Sequence, residues 1–183
     1  MKVRLAAPIQ TDSIVDGEGL RTVIWMQGCS HNCVGCHNPE THDFNGGKQS
    51  TLEEIMKMLA TVENQNGITL SGGDPLYQPE ATLFISQFAH SIGLSVWCYT
   101  GYTYDEIRTI ALKKPIYNEI LKNIDVLIDG KFELKNKSLN CIYRGSTNQR
   151  IIDVPLSLLE DRVVLKKEYY PELEEVSKSY VFI

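Results

Sequence analysis

Cys29, Cys33 and Cys36 stand in a C-x3-C-x2-C spacing within residues 28–38, directly after the apolar run Thr22-Val-Ile-Trp-Met26. Three thiolates on one short, glycine-punctuated stretch can converge on one point. Cysteine thiolates are the general ligands of iron–sulfur clusters. Three of them can hold three irons of a cubane and leave the fourth iron without a protein ligand. A small chelating cosubstrate needs that opening.

Two other uses of the cysteines compete with this one. A disulfide framework fits poorly, because the chain has five cysteines, an odd number, and shows no export-signal pattern. Structural zinc takes four ligands, often as two cysteine pairs well apart in sequence. Here Cys98 and Cys141 stand alone, so zinc would need His31, His37 or His42 as its fourth ligand. Three clustered cysteines with no clear fourth favour the iron–sulfur reading, and the zinc-stabilised binding module stays as the alternative.

The surrounding residues narrow the choice. Asp16-Gly-Glu-Gly-Leu-Arg21 precedes the apolar run, and Cys36-His-Asn-Pro-Glu-Thr41 follows the cysteines. Further along stand Gly72-Gly-Asp-Pro75, Asp129-Gly-Lys-Phe132 and Arg144-Gly-Ser-Thr-Asn-Gln-Arg150. With these motifs the chain resembles the radical S-adenosylmethionine (SAM) superfamily. Within it, the chain is similar to the activating proteins of anaerobic ribonucleoside-triphosphate reductase. Gly35 before the last cysteine departs from the aromatic residue of the wider superfamily and agrees with that branch. The resemblance runs over residues 14–154.

The elements that must position these motifs follow from periodicity and punctuation. Residues 1–10 suit a short leading strand. Leu20–Gln27 is rich in β-branched and aromatic residues and predicts a strand. Ser50 and Glu53 form a capping-box pattern, and Leu52, Ile55, Met56, Leu59 and Val62 recur at helical spacing behind it. Gly67–Ser71 predicts a second strand, and Pro79 opens a helix that turns Leu83, Phe84 and Phe88 inward and ends near Gly93. Leu94–Tyr99 predicts a third strand leading into Thr100-Gly-Tyr102. Helices over 104–113 and 117–123 precede a fourth strand, Ile124–Ile128. Arg162–Leu165 suits a strand, Glu172–Lys178 a short helix, and Tyr180–Ile183 an apolar end.

Strands alternating with helices imply an α/β chain with a mainly parallel sheet. A complete eight-unit barrel needs about 250 residues, so 183 residues suit a partial, open (β/α) barrel, in agreement with the fold of the superfamily. One domain over residues 1–183 is expected, with 155–183 as an extension of unassigned role. The net charge of −5 gives no basic nucleic-acid surface, and no apolar run approaches a membrane span. Free cysteines point to a reducing cytoplasm.

The resemblance implies a mechanism. Cys29, Cys33 and Cys36 would bind three irons of a 4Fe-4S cluster, and SAM would chelate the fourth. Gly72, Gly73 and Asp74 would meet the SAM amino group, and Gly35, Cys36 and His37 would line the adenine side. Reductive cleavage of SAM would yield methionine and a 5′-deoxyadenosyl radical, which takes hydrogen from a glycine Cα in the large reductase subunit. No side-chain acid or base is needed, because the cofactor carries the hard chemistry. The electron would come from a small donor such as flavodoxin. A pyruvate formate-lyase activase and a small enzyme acting on a deazapurine precursor are the nearest alternatives. Asp129, Lys131 and the arginines of residues 144–150 can also point into a site or simply lie in solvated turns.

Overall fold

The computed structural model describes residues 1–170. The helix expected over Glu172–Lys178 and the apolar end Tyr180–Ile183 lie outside the described residues. The chain forms strands β1 (Lys2–Leu5), β2 (Gln10–Ser13), β3 (Arg21–Met26) and β4 (Lys48–Thr51), then helix α1 (Leu52–Leu59). Strand β5 (Gly67–Gly72), helix α2 (Pro79–Ser91), β6 (Ser95–Tyr99), α3 (Tyr104–Ala111), α4 (Ile116–Leu121) and β7 (Val126–Asp129) follow. Strand β8 (Arg150–Asp153) and helix α5 (Val154–Glu160) complete the regular elements.

One sheet runs in the order β4-β1-β3-β5-β6-β7-β8, with β2 also paired to β3. Strands β3, β5, β6 and β7 are parallel, with Trp25 beside Ser71, Leu70 beside Cys98 and Cys98 beside Leu127. Strands β1, β2, β4 and β8 pair antiparallel. The sheet is therefore mixed, not mainly parallel, and it is open rather than closed into a barrel. The antiparallel strands are short and polar in part, Gln-Thr-Asp-Ser in β2 and Lys-Gln-Ser-Thr in β4. They lack the apolar run that marks a strand buried on both faces.

Side chains alternate across the sheet, and the two faces do different things. Ile24, Met26, Ile68, Leu70, Cys98 and Leu127 point to the helices and form the main core with residues such as Ile55, Ile85 and Ile107. The other face carries Arg21, Thr69 and Trp97 at the N-terminal ends of the parallel strands. Trp97 packs there with Val126, Ile128, Ile151, Tyr169 and Tyr170. At the C-terminal ends the same face carries Trp25, Ser71 and Tyr99, and there it opens into a cavity.

Arg21 plugs the closed end of this inner face. It is 1% exposed. Its Nε donates to Thr69 Oγ1 at 2.7 Å, its Nη1 to the Glu18 carbonyl and Ser95 Oγ, and its Nη2 to the Ile68 and Ser95 carbonyls. The guanidinium lies over Trp97, 5.2 Å from the ring centre. Burial pulls its pKa down to about 10, which leaves it charged at neutral pH. Arg21 thus ends the Asp16-Gly-Glu-Gly-Leu-Arg21 motif as a fold residue. The described part of the extension closes the same face: Tyr169 donates to Glu18 Oε2 at 2.7 Å, and Tyr170 Oη accepts from the Ile151 amide at 2.7 Å.

Several local expectations shift. The capping box is Thr51 with Glu54, one residue later than Ser50 with Glu53, because β4 runs straight into α1. Ser50 Oγ still donates to Glu54, at 2.7 Å. In α2 the buried residues are Ala81, Thr82, Ile85, Ser86 and Ala89, while Phe84 is 47% exposed. At 3.6 residues per turn the five buried residues share one face, and Phe84 lies well round the helix from the centre of that face. The expected leading strand over 1–10 ends at Leu5, and β2 begins at Gln10. The expected Arg162–Leu165 strand is reduced to a bridge between Leu165 and Ile152. No helix among the described residues is long and apolar enough to cross a membrane.

Candidate active site

The cysteine stretch leaves β3 as irregular chain and is stitched back onto its neighbours by backbone bonds. Gly28 N donates to the Thr41 carbonyl at 2.8 Å and Cys29 N to the His42 carbonyl at 3.2 Å, while Cys36 N closes a turn on the Cys33 carbonyl at 3.1 Å. Cys29, Cys33 and Cys36 are all partly exposed and line one cavity of about 640 Å³ at the C-terminal ends of β3, β5 and β6. That volume is in the range of small-molecule sites. Burial pushes the Cys29 thiol up to about 11 and also raises that of Cys33. Loading a metal on these thiols must therefore release protons.

Gly72 and Gly73 line the same cavity. Gly73 N donates to the Met26 carbonyl at 2.7 Å and Asp74 N to the Gly28 carbonyl at 2.9 Å. A Cβ on Gly72 would stand 2.6 Å from the Met26 carbonyl oxygen, and one on Gly73 2.5 Å from that of Gly28. Gly72 also has φ +101°, which side-chain-bearing residues rarely adopt. Only glycines let the β5 end lie against the cysteine stretch and present bare backbone to the cavity.

Asp74 is placed differently from its two glycines. It is 1% exposed and does not line the cavity. Its Oδ1 accepts from Leu76 N at 2.9 Å. Its Oδ2 accepts from His31 Nε2 at 2.7 Å, Thr100 Oγ1 at 2.8 Å and Gly101 N at 3.0 Å. The carboxylate is thus a clasp between the cysteine stretch and the β6 end. His31 also packs edge-on against Tyr102, with 4.7 Å between ring centres. A Cβ on Gly101 would sit 2.3 Å from His31 Cδ2. Gly101→Ala is expected to push His31 off Asp74 and cost about 1–3 kcal/mol of stability, read by thermal unfolding of the cluster-free protein.

Cys36 and His37 line the cavity, and the His37 ring packs on Phe132 with 4.8 Å between centres. Gly35 does not line it; its φ of +75° makes the turn, and it lies exposed beside Leu134. Tyr99, Thr100 and Gly101 line the cavity, whereas Tyr102 turns away and donates to Tyr77 at 3.0 Å. Asp129 and Lys131 are not in its wall. Asp129 is 1% exposed, pairs with Arg150 and accepts from Tyr104 N at 2.7 Å, and Lys131 is exposed. Their neighbours Gly130 and Phe132 line the cavity instead. Trp25 and Ser71 also belong to the wall. Strand alternation from Ile24 and Leu70, both core-facing, was the signal that could have found them.

The donor set fits a cluster better than a single ion. Among the described residues, no three His, Cys, Asp or Glu side chains gather as the shell of one metal ion. A tetrahedral zinc needs its sulfurs drawn about 2.3 Å from one centre, whereas a cubane spreads three thiolates over three irons. Four cysteines line the cavity, Cys29, Cys33 and Cys36 from one short stretch and Cys141 from the loop before β8. The three of the stretch provide the ligands for a cubane, and the bare glycine backbone in the same wall leaves room for a second molecule beside it.

A family model described as a 4Fe-4S single cluster domain matches residues 15–152. The chain is 35% identical over 144 residues to the anaerobic ribonucleoside-triphosphate reductase-activating protein of Enterobacteria phage T4, covering 75% of this chain and 86% of that one. It is 38% identical over 130 residues to the pyruvate formate-lyase-activating enzyme of Clostridium pasteurianum, covering 67% of this chain and 50% of the enzyme. The crystal structure of QueE from Escherichia coli superposes with a TM-score of 0.48 at 14% identity, over 56% of this chain and 54% of that one. By its cysteine motif, its matched domain and its relatives, the chain belongs to the family of anaerobic ribonucleoside-triphosphate reductase-activating proteins.

Proposed function

We propose that this protein is a radical SAM activase that creates the glycyl radical of an anaerobic ribonucleoside-triphosphate reductase. One observation carries the reading: Cys29, Cys33 and Cys36 open together into a cavity walled by the bare Gly72–Gly73 backbone. The family match favours an iron–sulfur cluster over the zinc module. Coverage favours the reductase activase over the pyruvate formate-lyase activase, because the chain spans 86% of the first relative and 50% of the second. The open sheet corresponds, on this reading, to the partial barrel of the radical SAM fold, formed by one domain over residues 1–183.

In this assignment Cys29, Cys33 and Cys36 hold three irons of a 4Fe-4S cluster. When bound, the reduced cluster supplies one electron to the SAM sulfonium, releasing methionine and a 5′-deoxyadenosyl radical that takes a hydrogen atom from a glycine Cα. The chain's own residues bind and orient. Carbonyl oxygens of Gly72 and Gly73 accept from the SAM ammonium, and Asp74 keeps them in place through its clasp on His31, Thr100 and Gly101. The Cys36–His37 segment, with Gly35 making its turn, offers backbone groups to the adenine. Trp25, Tyr99 and Phe132 exclude water from the cavity. A small protein such as flavodoxin supplies the electron, and a reducing cytoplasm protects the exposed iron.

A macromolecular substrate suits the cavity mouth. Ile14 and Val15, each 70% exposed, and Ile142, 49% exposed, line it. Exposed apolar residues gathered at one opening mark interaction sites. Val15→Asp is expected to lower the yield of glycyl radical on the reductase about tenfold or more, with partner-free SAM cleavage changed far less. Electron paramagnetic resonance of the mixture and 5′-deoxyadenosine from the activase alone give the two quantities. The basic function is tested by the second assay: cluster-loaded, reduced protein that forms no 5′-deoxyadenosine from SAM would refute the proposal.

A further inference from the structure

The stretch Arg144–Arg150 holds two guanidinium groups with opposite surroundings. Arg150 is matched to Asp129, with Nε on Oδ1 at 3.0 Å and Nη2 on Oδ2 at 2.5 Å. The amides between them staple the loop. Asn148 Nδ2 donates to the Lys131 carbonyl at 2.9 Å and Gln149 Nε2 to the Gly130 carbonyl at 3.0 Å. Gln149 Oε1 accepts from Gly145 N at 2.9 Å and Ser146 N at 3.2 Å. These bonds fix the stretch on the β7 end and bring Arg144 to the cavity.

Arg144 lines the cavity and has no carboxylate partner among the described residues. Its Nη1 donates to the Gln149 carbonyl at 3.1 Å, and its guanidinium stacks over Tyr170, 4.3 Å from the ring centre. Its Nε is buried with no hydrogen-bond partner among the described residues. A buried orphan donor is costly, more so on a charged group. No other lysine or arginine lines the cavity among the described residues. A planar fork held flat on an aromatic ring is shaped for a carboxylate.

We infer that Arg144 binds the carboxylate of the amino-acid moiety of SAM, an assignment that rests on the SAM-binding reading above. The carboxylate is the ligand's one anionic group, while its ammonium and sulfonium are repelled by a guanidinium. Arg144 therefore sets the direction of the methionyl arm, turning the cationic groups toward the carbonyl oxygens of Gly72 and Gly73.

The test compares equilibrium dialysis of SAM and of its decarboxylated analogue, S-adenosylmethioninamine, on cluster-loaded wild type, Arg144→Gln and Arg144→Lys. Arg144→Gln is expected to weaken SAM binding about tenfold to a hundredfold and to leave the analogue within about twofold. Arg144→Lys, which keeps charge without the fork, is expected to fall between. Retained analogue binding certifies that the variant site is folded. An equal loss for both ligands, or SAM binding as in wild type, would overturn the assignment while leaving the activase reading intact. Wild type that binds no SAM would overturn both.

Discussion

Cys33→Ala is expected to strip the iron–sulfur cluster and to lower 5′-deoxyadenosine formation by more than about a hundredfold. Cys33 lies in the cavity wall with Cys29 and Cys36. Cys141 lines the same cavity from the loop before β8, outside the C-x3-C-x2-C stretch, so the double variant Cys33→Ala/Cys141→Ala excludes its substitution for Cys33. Cys98 is fully buried on the helix side of the sheet, its thiol pushed well up by burial. Cys98→Ala should therefore keep its iron and its activity, at a stability cost of about 1 kcal/mol for the lost packing. Iron and sulfide per chain, the charge-transfer absorbance and 5′-deoxyadenosine after reduction report all of these outcomes. Full iron retention by Cys33→Ala would contradict the ligand assignment.

Asp74→Ala is the second large effect. The carboxylate is the shared acceptor for His31, Thr100, Gly101 and Leu76, and it is almost wholly buried. Removing it leaves four donors without their acceptor. A loss of about 3–5 kcal/mol is expected, which for a chain of this size lowers the melting temperature by roughly 10 °C. Because His31 sits between Cys29 and Cys33, cluster retention should fall with it. Asp74→Asn keeps the shape and replaces one acceptor by a donor, so it should show a smaller loss in the same direction. If Asp74 were instead a direct ligand of the SAM ammonium, Asp74→Asn would raise the KM for SAM with the melting temperature unchanged.

The strands that build the site were legible because they are apolar and end in glycine. Arg21–Met26, Gly67–Gly72, Ser95–Tyr99 and Val126–Asp129 lie within one or two residues of their expected bounds. Strands β2, β4 and β8 were not legible. Gln10–Ser13 and Lys48–Thr51 are polar, and Arg150–Asp153 brackets two isoleucines with charge, so none carries a local strand pattern. Pairing with β3, β1 and β7 decides their state, and pairing is not a local property.

The site divides in the same way. The three cysteines and the paired glycines were visible from residue type and spacing, and the structure brings them to one cavity. The surroundings of Asp74 were not visible, because its partners lie 26 to 43 residues away. Only its local bond was within reach: Asp-Pro is a capping pattern, and Oδ1 caps the turn at Leu76. Asp129 and Arg150 could each have been offered to a ligand on sequence grounds; the fold pairs them with each other. That pairing leaves Arg144 as the guanidinium facing the cavity.

The decisive measurement is electron paramagnetic resonance of an anaerobic mixture of the cluster-loaded, reduced protein with SAM and the large subunit of an anaerobic ribonucleoside-triphosphate reductase. The expected result is a doublet from a glycyl radical on the reductase. It should appear with one 5′-deoxyadenosine per radical and be absent when Cys33→Ala replaces the wild type. SAM cleaved to 5′-deoxyadenosine with no radical on the reductase would contradict the proposed substrate. No cleavage at all would contradict the radical chemistry itself.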